Sequence, residues 1–329
     1  MPCVPPCLCA KKTKRVKGCK IFYRYTKIEL MGKLLRPLCL IGSFAAGLAF
    51  PQISVLAPLI PWFIRFMLFA LFLGLDFHAV RFYRSHLYIL LLNLLIGLVG
   101  WKLFMLWDQP VLALAAFFVG ITPTGTAAPV VTGFLGRKVE YVATSFMINT
   151  LGVAISLIFL IPLVLGQTAP NVFFDVATKI GSVVFLPLIL ALIFRRFFPV
   201  SRTWPKKLKS VVFAAWVCVL AIILSGASDY IRSHREISWR VLFALGFISL
   251  FMCALNFVLG YWVGEPSNRR EASQSLGQKN TSITIWLAVT FAGPLGPLVA
   301  LGPTLYVLWH NGWNAIQLEE YARSQKIED

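Results

Sequence analysis

Thr122-Pro123-Thr124-Gly125-Thr126-Ala127-Ala128-Pro129 and Ser273-Gln274-Ser275-Leu276-Gly277-Gln278-Lys279-Asn280-Thr281-Ser282 each interrupt a long hydrophobic run. In the first, two prolines and a glycine fall within eight residues. Proline removes an amide donor and clashes with the preceding turn, and glycine carries an entropic cost, so one unbroken helix is not expected there. The second run is too polar to face lipid. An interrupted helix frees carbonyls at one half and amides at the other. Inside a bilayer those groups must line a cavity or meet a partner.

The rest of the chain is built to hold such breaks in a membrane. Of its 329 residues, 58% are hydrophobic and only 13% are charged, with a mean hydropathy of +0.76. A soluble domain carries roughly 25% charged residues; half that fraction leaves too little polar surface to wrap a water-facing globule. The apolar material comes in runs such as Leu87–Trp107, Ala143–Leu165 and Val241–Val263, each long enough to cross a hydrocarbon core of ~30 Å as a helix. They do not alternate as barrel strands would. The formal charge of +18 sits mostly in connections and tails. We read it as a topology signal and an affinity for anionic headgroups, not for nucleic acid.

The expected fold is all-α and polytopic, with ten transmembrane helices near 34–50, 58–80, 86–106, 110–135, 139–166, 171–197, 208–228, 241–264, 270–292 and 295–317. Pro51, Pro110, Pro170, Pro199, Pro205 and Pro266 punctuate the connections. One side carries Arg81, Arg84, Arg137, Lys138, Arg195, Arg196, Arg202, Lys206, Lys207, Lys209, Arg269 and Arg270. The other carries Lys102, Arg232, Arg235 and Arg240, with Lys179 close to it. The positive-inside rule places the richer side and both termini in the cytoplasm of a plasma or inner membrane. The interrupted spans are fourth in each group of five, so residues 31–166 and 171–317 read as two inverted five-helix repeats. Broken helices at matching positions of inverted halves point to a transporter's binding site. Residues 1–30 are either an extension ahead of a start at Met31 or a basic juxtamembrane tail. Residues 318–329 form a cytoplasmic tail.

Lys279 is the residue that calls hardest for an explanation. An ammonium near the centre of a membrane helix costs at least ~2.5–3.5 kcal/mol unless it meets acceptors. It is expected at the crossing of the two breaks, held by freed carbonyls and by Gln278, Asn280, Ser275 or Thr126. Asn149 and Asn256 lie in the spans beside the broken helices and are expected to support the site. Asn93 reads as an interhelical hydrogen bond, and Asp175 with Lys179 as an i,i+4 pair. Arg65, Asp76 and Asp108 are expected near span ends, as are His78, His86, His234 and His310. Cys3, Cys7, Cys9 and Cys19 have no histidine nearby and no finger spacing. Cys39, Cys218 and Cys253 read as packing residues. No metal centre, catalytic motif or disulfide framework is expected.

The two interrupted stretches resemble those of the bile acid:sodium symporter superfamily. Pro123-Thr124-Gly125-Thr126-Ala127-Ala128-Pro129 is similar in part to the family's Pro-Gly-Gly-x-x-Ser-Asn. Ser275-Leu276-Gly277-Gln278-Lys279-Asn280 is similar at Gly277 and Asn280 to its Glu-x-Gly-x-Gln-Asn. Leu68–Phe77, with Gly74-Leu75-Asp76-Phe77, resembles the family's second span and its exit. The likeness covers about residues 31–317. It implies a panel of spans 1, 2, 6 and 7, a core of spans 3–5 and 8–10, crossing spans 4 and 9, and alternating access for organic anions, often driven by sodium. It also implies a substrate and ion site at Thr124, Gly125, Thr126, Ser275, Gly277, Gln278, Lys279 and Asn280, supported by Asn149 and Asn256.

The departures change the chemistry. The family's Ser-Asn pair is Ala128-Pro129, its shared carboxylate is Ser275, and its glutamine ligand is Lys279. A hard cation wants oxygen ligands with negative charge; here a negative charge is removed and a positive one added. The expectation is a symporter-like secondary transporter of a small organic anion with no cofactor and no bound sodium. In it the Lys279 ammonium takes the volume of that ion as a tethered cation. Coupling is then sodium-independent or proton-based, or Lys279 pairs directly with a substrate carboxylate. The rival readings are a cation/proton antiporter, which would need a membrane carboxylate, a membrane-embedded lipid-modifying enzyme, for which Asp76 with His78 is the sole candidate pair, and a non-transporting sensor, which would need a soluble output domain.

Overall fold

The computed structural model describes residues 38–75, 80–167, 169–234 and 237–328. The expectations for residues 1–30, for the four N-terminal cysteines and for Asp76 with His78 lie outside the described residues.

The described chain is all helical. In order the elements are α1 (Leu38–Ala49) and α2 (Pro51–Gly74), then α3 (Arg84–Met105), α4 (Pro110–Gly120) and α5 (Ala128–Phe134), then α6 (Val139–Val164), α7 (Pro170–Phe197), α8 (Trp204–Ser233) and α9 (Trp239–Val263), and last α10 (Arg269–Gly277), α11 (Thr281–Phe291) and α12 (Leu301–Glu328). Six helices are long and apolar enough to cross a membrane: α2, α3, α6, α7, α9 and the run Pro199–Ser233 that contains α8. α1, α4 and α11 are shorter apolar helices. Trp62, Phe174, Trp239 and Phe243 are exposed over most of their surface, as expected where lipid replaces water. α12 runs on to Glu328, so the segment assigned to the tail continues a helix.

Local chemistry sets the ends. Prolines stand in the first turn of α2, α4, α5 and α7, where the missing amide has no intrahelical role. The α9–α10 connection is tied to α3: Glu265 accepts the Ser85 amide at 3.2 Å and its hydroxyl at 2.6 Å. That carboxylate lies over the start of α3, where the helix dipole favours negative charge. Burial works to raise the Glu265 carboxyl. The Ser85 hydroxyl, the Glu265 and Ser85 amides and Asn268 outweigh burial and hold it below the usual range.

Glycine brings α3 and α4 together. A Cβ on Gly120 would lie 2.5 Å from Gly97 Cα, and one on Gly97 would lie 3.0 Å from the Ile121 amide. Such close backbone approach is what small residues permit between membrane helices. It places Asn93, one turn before Gly97 on the same face of α3, beside the end of α4.

Two sequence expectations change here. Arg65 lies inside α2, far from an end; it donates to the Ser182 carbonyl at 3.1 Å and hydroxyl at 3.0 Å. Ser182 sits in a π-helical turn of α7, Gly181–Phe185, whose wide hydrogen-bond pattern leaves carbonyls open to such a donor. His310 lies well inside α12 and is buried. The Lys179–Asp175 pair forms, at 2.7 Å.

Candidate functional site

The segment between α4 and α5 and the segment between α10 and α11 run antiparallel through the core as a single bridge, Thr124 opposite Lys279. The Gly125 amide donates to the Gln278 carbonyl at 2.6 Å, and the Asn280 amide donates to the Pro123 carbonyl at 2.8 Å. Gly125 is required by this approach: a Cβ there would lie 2.9 Å from the Lys279 carbonyl oxygen and 3.1 Å from that of Gln278. Both neighbours are backbone, so a side chain at this position would force the two segments apart.

The carbonyls freed by the breaks find donors, as a bilayer interior demands. The Ser275 carbonyl accepts from the Thr124 hydroxyl at 2.7 Å, and the Gly277 carbonyl from the Tyr306 hydroxyl at 2.7 Å. The Thr122 hydroxyl donates to the Phe118 carbonyl at 2.5 Å and meets the Thr284 hydroxyl at 2.8 Å. The Gly120 carbonyl, at the last residue of α4, accepts from Lys279 Nζ at 3.0 Å.

Lys279 is 3% exposed. Its ammonium also donates to Asn93 Oδ1. Asn93 Nδ2 donates to Asn149 Oδ1 at 2.7 Å, and Asn149 Nδ2 donates to the Ser145 carbonyl at 2.9 Å. This relay orients the Asn93 oxygen toward Lys279. Among the described residues no carboxylate pairs with Lys279. What faces it is the C-terminal end of α4, with the C-terminal end of α10 two residues away in its own chain. A helix C-terminus carries partial negative charge and favours a cation.

The predicted residues therefore divide. Thr124, Gly125, Ser275, Gly277, Gln278, Lys279 and Asn280 share the crossing through the bonds above, and Asn149 lies behind Asn93, two hydrogen bonds from Lys279. Thr126 is half-buried and Asn256 is buried. Asn256 donates to the Met252 carbonyl of its own helix at 2.6 Å. Of the holders expected for Lys279, the freed carbonyl is present as that of Gly120, and the side chain needs correction: it is Asn93, and not Gln278, Asn280, Ser275 or Thr126. Asn93 makes the interhelical bond expected of it and also holds the ammonium. Its polarity within an apolar span was the signal. Ser275 Oγ, where the family resemblance implies a carboxylate, is buried with no partner.

Beside the crossing lies a void of about 10 Å³, room for no more than one water. Pro123, Thr150, Ile180, Val184, Ile283 and Trp286 are among its lining residues. Thr150 Oγ1 is buried without a partner.

The family profile described as Sodium Bile acid symporter family matches residues 61–234, more than half of the chain. No curated protein matches it.

Proposed function

The chain belongs to the sodium bile acid symporter family, and from that premise we propose that it carries a small organic anion across the membrane by alternating access without sodium. A membrane transporter acting on a small molecule in a lipid environment follows from the family; the anion, the ion independence and the mechanism are our reading. The single observation that carries it is the buried Lys279 ammonium, held by Asn93 on α3 and by the Gly120 carbonyl at the C-terminal end of α4. A fixed positive charge there does what a bound cation would do: it offsets the negative end of a broken helix at the crossing. It does so without being released in each cycle.

The same reading arranges the chain as ten spans in two inverted halves, with α4–α5 and α10–α11 as the crossing pair. The helix N-termini at Ala128 and Thr281 favour negative charge on the far side of each break. The void at Thr150, Ile180 and Trp286 marks the seam where core and panel would part to admit the solute. In the present conformation the seam is shut.

The test is solute counterflow in proteoliposomes, with the solute chosen by its effect on the melting of purified protein, since a ligand bound to the native state raises apparent stability. The expected result is exchange of an organic anion with equal rates in sodium and in potassium. A protein that binds and exchanges no organic anion, or exchanges cations for protons instead, overturns the proposal.

A further inference from the structure

At the end of the core remote from the seam, α5, α10 and α12 enclose a cavity of about 260 Å³. Its polar lining comes from the turn after α5 (Arg137), from α10 (Arg270, Glu271, Gln274) and from α12 (Gln317, Glu320). It is separate from the Lys279 site. Gln278 and Lys279 are neighbours in an extended segment, so their side chains leave on opposite sides. Lys279 turns to α3 and α4, while Gln278 Oε1 accepts from Gln274 Nε2 at 2.5 Å. The Gln274 amide also reaches Asn314 Oδ1 on α12, at 2.9 Å.

Three features mark this cavity as a candidate ligand site. Glu271 is 3% exposed; its Oε1 accepts the Lys138 amide at 3.3 Å, and its Oε2 is buried with no partner. Gln317 Nε2 is a buried donor that likewise has none. Such groups are costly to leave unmet, and more so when charged. Finally, the lining holds two guanidinium groups and two carboxylates, yet no ion pair joins Arg137 or Arg270 to Glu271 or Glu320 among the described residues. The charges of opposite sign face one cavity without touching.

A lone cation would meet two guanidinium groups, and a lone anion would meet two carboxylates. A molecule with both charges satisfies each side. We propose that this cavity binds a small zwitterion, its ammonium on the Glu271 carboxylate and its own carboxylate between Arg137, Arg270 and the Gln317 amide. The volume falls below the ~300 Å³ lower bound of drug-sized sites, which suits an α-amino acid with a short side chain. A ligand here would bridge α10 to α12 one helical turn from Gln278. The site thus goes beyond the transport reading and stands without it.

The experiment is a melting titration of the full-length protein in detergent with L-alanine and L-leucine. Sodium acetate, ethylammonium chloride and glycine betaine serve as probes lacking one charge or the N–H donors. The expected result is a saturable rise with an amino acid, at least tenfold weaker for each of the three controls. Glu271→Gln and Arg270→Ala should each weaken it at least tenfold relative to their own ligand-free melts; Arg270 is exposed, so its loss leaves folding intact. No rise with either amino acid means that water alone fills the cavity and overturns the assignment. An equal rise with acetate does so too. A rise lost in Lys279→Gln but kept in Glu271→Gln puts the ligand at the crossing, which refutes this site and leaves the transport reading standing.

Discussion

Gly125→Ala tests the crossing at its tightest point. The added methyl would lie 2.9 Å from the Lys279 carbonyl oxygen and 3.0 Å from its carbon, so the two extended segments must separate. Separation weakens the Gly125–Gln278 and Asn280–Pro123 hydrogen bonds, worth ~0.5–1.5 kcal/mol each, and adds overpacking strain of ~1–3 kcal/mol. Since the segments can share the shift, we expect a loss of about 2–4 kcal/mol. Gly246→Ala on α9 is the control, because nothing lies within 4 Å of a Cβ there; alanine in mid-helix should gain up to ~1 kcal/mol. The assay is thermal melting in detergent followed by counterflow. Gly125→Ala should melt roughly 3–6 °C lower and exchange solute poorly, while Gly246→Ala should match or exceed the parent. Equal melting and exchange in the two variants would refute the claim that the breaks are bonded to each other.

Asn93→Leu should destabilise by ~3 kcal/mol, since it strips one acceptor from a buried ammonium and one donor from Asn149; an unchanged melt would remove Asn93 from the site. Gly97→Val should lower the melt and the exchange rate together by forcing α3 from the Ile121 amide; normal exchange would show that this approach does not position Asn93. The double change Ser275→Glu with Lys279→Gln should create a sodium-dependent rise in melting that the parent lacks, and its absence would count against the equivalence of ammonium and ion. Glu265 ionises below the usual carboxylate range, so its clasp on Ser85 stabilises the fold above the unfolded carboxyl value and is lost as pH falls through the folded one. Glu265→Gln should lower the melt near neutral pH by ~1 kcal/mol and flatten its fall in acid; identical acid profiles would refute the clasp.

The breaks were legible because their physics is local. Pro123, Gly125 and Pro129 forbid one helix, and the polar run around Lys279 forbids contact with lipid, whatever the neighbours are. Helix starts were legible for the same reason at Pro110 and Pro170, whereas the second span, expected from residue 58, starts at Pro51. A freed carbonyl as holder of Lys279 was legible; Asn93 as the other holder was not, although its polarity stands out. The rest of the α3 surface is largely apolar and carries no stripe to say which face meets α4, and the backbone approach of Gly97 to Gly120 decides that Asn93 points inward. Arg65 was misplaced because its partner is a carbonyl opened by the π turn at Gly181–Phe185, which no residue type announces. Glu265 and Ser85 are 180 positions apart, beyond any periodicity. The cavity between α5 and α12 arises from three elements that only the fold brings together.

The central claim is that a tethered ammonium stands in for a bound cation. Initial solute uptake into proteoliposomes, with sodium replaced by potassium or choline on both sides, tests it most directly. Rates that do not change with the cation agree with a permanent charge at Lys279; uptake that vanishes without sodium contradicts it.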